Sequence, residues 1–362
     1  MIRIGIDARE LVDDATGAGR YLGELLTRWA MRPDANRREL VLYSPEPLPL
    51  LKTLTASARI RDVVCGSGRG TWWEQTHLRR AVRADPPDVF FAGAYTAPLA
   101  LGVPLALSVH DVSFAAHPEW FRPTEGARRR LITRQAAKRA RVVFTCSEFS
   151  KREIVERLGV PAERVRTIYL GVTERPVVTE PKEALVLYAG SIFNRRRLPS
   201  AIAAFAAATT DLPEARFVIA GANRSYPAID LEEAARQAGV ADRVDIRSYV
   251  SESELTSLYS RAAAFIFLSE YEGFGLTPLE ALSAGVPTVV LDTPVAREIY
   301  GNAAFYVDPA DDVPQAARAL KVLLTRPDEA ARQLSAAATV LARYSWDAAA
   351  SATLTAIEAA AR

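Results

Sequence analysis

The stretch Ser269-Glu270-Tyr271-Glu272-Gly273-Phe274-Gly275-Leu276-Thr277-Pro278-Leu279-Glu280-Ala281-Leu282-Ser283-Ala284-Gly285-Val286-Pro287 follows an apolar strand and opens a helix. Thr277 suits the N-cap, Pro278 the first helical position and Glu280 the third, so Thr-x-x-Glu reads as a capping box. Gly285 suits the helix C-terminus, and Pro287 cannot continue the helix. That gives Glu280 a structural role. The same residues also support a binding role. Gly273-Phe274-Gly275 lets backbone amides approach a ligand closely, and the helix start at Leu276 and Thr277 offers unpaired N–H groups and a positive dipole end suited to phosphate. Glu272 and Glu280 flank this point. Carboxylates are poor phosphate ligands but good acceptors for sugar hydroxyls. A ligand with phosphate in the middle and hydroxyls at both ends, such as a nucleotide sugar, fits the pattern.

Outward from this stretch, apolar strands alternate with helical patterns along the whole chain, which predicts an α/β fold. In the first half, strands are expected near 2–6, 39–43, 88–91, 105–109 and 142–145, with helices near 18–31, 71–83, 124–140 and 147–158. The segment from Glu174 to Lys182 holds two prolines and reads as a linker. A second alternation follows, with strands 184–189, 216–220, 244–246, 263–268 and 287–291 and helices near 198–209, 228–238, 251–261 and 278–284. The alanine-rich tail from Asp311 reads as two or three helices. Two α/β halves imply two domains, 1–178 and 179–344, with a cleft near the carboxyl ends of the strands where ligands sit.

The length of 362 residues suits two domains. Apolar residues at 49% and charged residues at 24% fit a soluble enzyme. No apolar run reaches the roughly 18 residues that span a bilayer, and Met1 leads directly into strand-like Ile2-Arg3-Ile4-Gly5-Ile6-Asp7 without a signal peptide, so a cytoplasmic protein is expected. Cys65 and Cys146 read as buried small hydrophobes, not as a disulfide or metal site. The three histidines lack metal-ligand spacing, so no metal and no cofactor is expected.

The net charge of +2 is unevenly placed. Residues 1–180 carry 28 Lys+Arg against 21 Asp+Glu (+7), and residues 181–362 carry 17 against 22 (−5). Much of the excess lies in 125–141, where Arg128, Arg129, Arg130, Arg134, Lys138, Arg139 and Arg141 face a lone Glu125. This is either a solvated helix face or a dock for anionic lipid headgroups at the inner membrane face. No nucleic-acid partner is indicated.

The pair Glu272 and Glu280 around Gly-Phe-Gly resembles the signature of glycosyltransferase family 4, the group 1 glycosyltransferases of GT-B fold. The resemblance runs through most of the chain. Ile4-Gly5-Ile6-Asp7-Ala8-Arg9 and Thr16-Gly17-Ala18-Gly19-Arg20-Tyr21 are similar to the family's opening strand and glycine loop, and Ser108-Val109-His110-Asp111 to its His-Asp strand end. Cys146-Ser147-Glu148-Phe149-Ser150 and Tyr169-Leu170-Gly171-Val172 resemble later landmarks. Gly190-Ser191-Ile192-Phe193-Asn194-Arg195-Arg196 resembles the loop that usually reads Arg-Lys, and Tyr344-Ser345-Trp346 the start of a last helix, 345–362, that crosses back to the first domain.

The resemblance implies a nucleotide-sugar donor domain at 179–344 and an acceptor domain at 1–178. It implies that Glu272 and His110 hold donor-sugar hydroxyls and Glu280 the ribose hydroxyls. Gly17, Gly19 and Gly190 would lie near the donor, the backbone of Gly273, Phe274 and Gly275 against the sugar, and Leu276 and Thr277 with Arg195 and Arg196 at the diphosphate. It implies a retaining, metal-independent hexosyltransferase with a glycan or lipid-linked acceptor. The Thr-Gly-x-Gly-Arg-Tyr loop is similar to bacterial mannosyltransferases of polysaccharide assembly, which points to GDP-mannose. Two departures stand out. Arg196 occupies the usual lysine position, with Arg195 and Arg197 leaving the register open by one, and Val295-Ala296-Arg297-Glu298 lacks the proline of many relatives. A nucleotide-sugar epimerase, a sugar phosphorylase and a non-catalytic nucleotide-sugar binder are the competing readings. A dehydrogenase is disfavoured because Gly-x-Gly-x-x-Gly would need glycine where Leu22 stands.

Overall fold

The computed structural model describes residues 1–12, 17–48, 50, 59–68, 70–175 and 182–362. Thr16 and linker residues 176–181 lie outside them. The chain forms two compact units. One comprises Met1–Pro118, Pro123–Gly171 and Ser345–Arg362, the other Glu119–Arg122 and Val172–Tyr344.

The first unit runs β1 (Ile2–Asp7), α1 (Gly17–Met31), β2 (Arg38–Ser44), β3 (Arg59–Val64), α2 (Thr71–Trp73), a π-helical turn (Glu74–Leu78), α3 (Arg79–Ala84), β4 (Val89–Ala92), β5 (Leu105–Ser108), α4 (Ser113–Ala116), α5 (Pro123–Arg139), β6 (Val142–Thr145), α6 (Glu148–Leu158) and β7 (Val165–Thr167). Its sheet is parallel in the order β3-β2-β1-β4-β5-β6-β7, so the direction of winding reverses between β1 and β4. Parallel strands are covered on both faces, which is why β4, β5 and β6 are buried at every position.

The second unit runs β8 (Leu185–Ala189), α7 (Leu198–Ala208), β9 (Arg216–Ala220), α8 (Leu231–Gln237), β10 (Val244–Arg247), α9 (Glu252–Arg261), β11 (Ala264–Phe267), α10 (Leu276–Ser283), β12 (Thr288–Leu291), α11 (Pro294–Tyr300), β13 (Ala304–Val307), α12 (Asp312–Thr325), α13 (Pro327–Ser335) and α14 (Ala337–Leu341). The sheet is again parallel, β10-β9-β8-β11-β12-β13, and its winding reverses between β8 and β11. A last helix, α15 (Trp346–Ala360), belongs to the first unit, where it packs on α1. Ser345 caps it by accepting from Ala348 N at 3.3 Å, and the Trp29 indole donates to Ala350 O at 2.8 Å.

Several expectations need correction. Gly17-Ala18-Gly19 is the first turn of α1, not a loop. The helix extends to residue 17 because Tyr21, Leu22, Leu25, Leu26 and Trp29 form one buried stripe. The tail from Asp311 makes four helices among the described residues, because Pro327 restarts the chain after Arg326 and Ser345 caps a new helix. Of the segment read as a linker, residues 174, 175 and 182 are described: Arg175 is buried in ion pairs and Lys182 Nζ donates to Ser260 O at 2.8 Å. Cys65 is half-exposed, while Cys146 is buried as expected.

Candidate functional site

In the second unit, β8 and β11 lie side by side at the reversal point and deliver two loops from their carboxyl ends, as open α/β sheets do at ligand sites. The loop after β8 begins at Gly190, whose φ of 133° suits glycine. A Cβ there would lie 2.7 Å from Arg196 Nη1, so glycine leaves the guanidinium its passage. The loop after β11 carries Ser269 to Gly275. Glu270 N donates to Arg195 O at 2.8 Å and ties the loops together.

Arg195, Arg196 and Glu272 meet between these loops. Arg196 Nε donates to Glu272 Oε1 at 3.0 Å, and its Nη1 donates to Ser191 O at 2.9 Å and to the Tyr188 hydroxyl at 3.1 Å. Ser269 Oγ donates to the same Glu272 oxygen at 2.9 Å, and Arg195 Nε lies 3.7 Å from it. The Arg196 guanidinium lies over the Phe267 ring at 4.8 Å and that of Arg195 over Phe193 at 4.3 Å. Burial works against the Arg196 charge, but Glu272 and the Tyr188 oxygen outweigh it and hold its pKa above the ordinary value. Two cations against one carboxylate leave a local excess of one positive charge. Arg197 stands apart. In the left-handed region at φ 43°, it turns to Glu270 and to Asp312 at 3.0 Å. The three consecutive arginines thus divide into a pair facing Glu272 and one that braces α12.

The capping box is not formed. Helix α10 starts at Leu276, and its N-cap is Gly275 at φ 86° with no side-chain cap bond. Thr277 and Pro278 therefore fall at the second and third helical positions, where a missing N–H costs no intrahelical bond. Glu280 instead lies buried at 2% exposure, with Arg175 Nη2 at 3.4 Å from its Oε2. Gly273 and Phe274 are buried, and the Phe274 ring packs edge-on against Tyr344 at 5.2 Å, so its side chain is core and its backbone is what lines the loop. Tyr300 donates to Gly275 O at 3.0 Å, and a Cβ at 275 would collide with that hydroxyl. Gly275→Ala is accordingly expected to lower the melting temperature by several degrees through strain at positive φ and this clash, of order 1–3 kcal/mol. Thermal unfolding checks it, and a wild-type melting temperature would show the turn to be tolerant.

In the first unit, His110 lies two residues beyond β5. Its Nε2 is 3.1 Å from Gly93 O, a group that only accepts, so Nε2 carries the proton and Nδ1 is left as an acceptor in the neutral ring. Burial pushes the His110 pKa down, and edge contacts with Tyr21 at 4.7 Å and Tyr95 at 5.8 Å enclose the ring. Asp111 is a local brace that accepts from Ser113 N at 2.8 Å and from the Tyr95 hydroxyl at 2.8 Å. Gly17 is exposed and Gly19 buried at the start of α1. At the reversal point of this sheet, Arg9 pairs with Asp7 at 2.6 Å and with Glu74. Burial pushes Asp7 up to about 6.

Sequence reasoning missed Arg175, Tyr188, Ser269 and Tyr300. Ser269 and Tyr188 carried a usable signal as polar residues at or beside the carboxyl ends of β11 and β8. Arg175 and Tyr300 carried none, since their partners lie 105 and 25 residues away.

Residues 173–340 match the family of glycosyl transferases group 1, and residues 15–175 match Glycosyltransferase Family 4. The chain belongs to the group 1, family 4 glycosyltransferases. Among its relatives, the O-antigen chain mannosyltransferase RfbU of Salmonella typhimurium is 28% identical over 67% of this chain and 65% of its own length. A GDP-mannose:cellobiosyl-diphosphopolyprenol alpha-mannosyltransferase of Komagataeibacter xylinus is 30% identical over 60% of this chain and 56% of its own. The match thus spans less than two thirds of either relative. The crystal structure of Anabaena HepE in complex with UDP and glucose superposes with a TM-score of 0.75 at 18% identity, covering 99% of this chain and 100% of that one, and so shares the GT-B fold.

Proposed function

We propose that the protein is a retaining, metal-independent hexosyltransferase that takes its sugar, mannose, from GDP-mannose and passes it to a glycan or lipid-linked acceptor. The observation that carries the reading is the convergence of Arg195, Arg196 and Glu272 between the β8 and β11 loops of a parallel sheet, beside the start of α10. The two guanidinium groups and the first-turn N–H groups of α10 stabilise the diphosphate as its negative charge develops, which is electrostatic catalysis of the leaving group. Two fixed cations do here what a divalent ion does elsewhere. Glu272 holds donor-sugar hydroxyls, and Glu280 holds those of the ribose. The acceptor oxygen bonds to the anomeric carbon on the face from which the diphosphate departs. The anomeric carbon–phosphate oxygen bond breaks, and the acceptor's proton passes to the departing phosphate oxygen. The named activities of the Salmonella and Komagataeibacter relatives support mannose, and the latter's diphosphopolyprenol acceptor supports a lipid-linked acceptor.

Calorimetry of GDP, UDP and ADP in excess EDTA tests this. Selective, chelator-insensitive binding of GDP is expected. Selective binding of UDP would replace mannose as the sugar to pursue, and binding that EDTA abolishes would remove the metal-free reading.

A lipid-linked acceptor calls for contact with a membrane, and the first unit has surfaces for it. On α5, Leu131 is 57% exposed among Arg128, Arg130 and Arg134. Along α2, the π turn and α3, Trp72 is 75% exposed, and Arg79, Arg80 and Arg83 line a groove of about 440 Å³. The crossovers from β3 to β4 and from β5 to β6 run the same way across the sheet, so right-handedness sets both helical segments on one face. Arginine draws such a face to anionic headgroups, and tryptophan anchors it at the interface. No helix among the described residues is long and apolar enough to cross a membrane. Co-sedimentation with anionic but not neutral vesicles is expected, weakened by Trp72→Ala and by Arg79→Glu with Arg83→Glu. Equal recovery with both lipids would remove the electrostatic case.

A further inference from the structure

Glu280 is a carboxylate with 3% side-chain exposure, and burying a charge is costly unless it is paired. Its cationic neighbour is Arg175, itself 5% exposed. This guanidinium is held from several sides. Nη1 pairs with Glu252 Oε1 at 2.9 Å and donates to Thr256 Oγ1 at 3.2 Å, the cation stacks over the Tyr259 ring at 4.8 Å, and Nη2 reaches Glu280 Oε2 at 3.4 Å. Three of these contacts come from consecutive turns of α9 and the fourth from α10, so Arg175 bridges the two helices. Its buried Nε has no hydrogen-bond partner there. A fold bracing two helices for stability alone would do better with packed apolar residues than with a buried cation carrying an unfilled donor. The arrangement makes sense if the orientation of the Glu280 carboxylate is what must be fixed. Reading two adjacent hydroxyls needs the acceptor held to within about 0.5 Å.

We propose that Arg175 is the positioning residue of the Glu280 carboxylate, and that the α9–Arg175–α10 bridge sets how strongly the site distinguishes a ribonucleotide from one lacking the ribose hydroxyls. The inference rests on Glu280 as the ribose acceptor. Arg175 aligns the Oε2 edge, and the hydroxyls of the ligand donate to the carboxylate. Lysine replaces it only in part, because a single point donor does not span Glu252 and Glu280 together.

The test is calorimetry of GDP or UDP, whichever the wild type binds, against the matching 2′,3′-dideoxynucleoside diphosphate, with Arg175→Ala and Arg175→Lys. In wild type the ribonucleotide binds more tightly than the dideoxy form. Arg175→Ala is expected to shrink that preference by about tenfold, the loss of one charge-assisted hydrogen bond, while dideoxy affinity stays near wild type. Arg175→Lys is expected to shrink it by roughly threefold and serves as the deciding variant if alanine fails to fold. An unchanged ribo-to-dideoxy ratio in a folded Arg175 variant overturns the positioning role while leaving the donor site intact. A wild type that binds both forms equally overturns the ribose role of Glu280 and this inference with it. A wild type that binds no nucleotide overturns the donor reading as well.

Discussion

Arg196→Ala is expected to lower kcat by roughly 10²–10³, the usual cost of removing one preorganised donor from a site of developing charge. The loss falls on turnover more than on donor affinity, because the cation is worth most when the leaving diphosphate carries its full charge. Removing one partner of a buried pair is also destabilising, by about 3–5 kcal/mol where the remaining charge is uncompensated. Here Glu272 keeps Ser269 Oγ at 2.9 Å and Arg195 at 3.7 Å, so the fold is expected to survive with a lowered melting temperature. The double variant Arg196→Ala with Glu272→Gln separates the two effects, since it should recover stability without recovering turnover. Steady-state kinetics with thermal unfolding measure both. An Arg196→Ala enzyme with wild-type kcat would remove the leaving-group role.

Glu280→Ala is expected to weaken nucleoside diphosphate binding by about 1.5–3 kcal/mol, or 10- to 150-fold, the worth of a charged hydrogen bond. The effect appears in binding and in the donor KM, with kcat changed far less, because the ribose is bound alike in ground and transition states. The substitution leaves Arg175 its bond to Glu252 at 2.9 Å, so the cation is not stranded. Unchanged nucleotide affinity in calorimetry would return Glu280 to a purely structural role.

Much of the fold was legible because it rests on short-range patterns. The apolar runs that became β8, β9 and β11 are nearly continuous, β1 alternates isoleucine with other residues, and the alternation with helices leaves few topologies. β3 was missed because its sequence, Arg59-Ile60-Arg61-Asp62-Val63-Val64, lies at a sheet edge and is charged at three of its six positions. β7 was missed because it is only three residues long. At α10 the composition of the helix start was legible but its register was not. Both Gly275 and Thr277 make acceptable caps, and the choice is made by Tyr300, which holds the Gly275 carbonyl from α11. The candidate site divides the same way. Glu272, Arg195 and Arg196 stood out locally, and which two of three arginines face Glu272 was decided by the left-handed backbone at Arg197 and its partner Asp312, 115 residues on. Arg175 was invisible for the same reason.

The final helix has a bearing on how the protein is made. Helix α15 packs on α1 and on strands β4, β5 and β6, the Trp29 indole donates to Ala350 O, and Arg38 and Arg141 reach Glu358 and Ala360 O. Residues 1–171 therefore wait for residues 345–362 before the interior of their unit can close. Residues 172–344 need no such wait, since their sheet and its helices are complete in themselves. Synthesis at about 5–20 residues per second leaves the face that α15 covers open for the many seconds it takes to make the second unit. Nascent chains halted before residue 345 should consequently be the form that holdase chaperones retain, with the unit of residues 172–344 closing before that of residues 1–171.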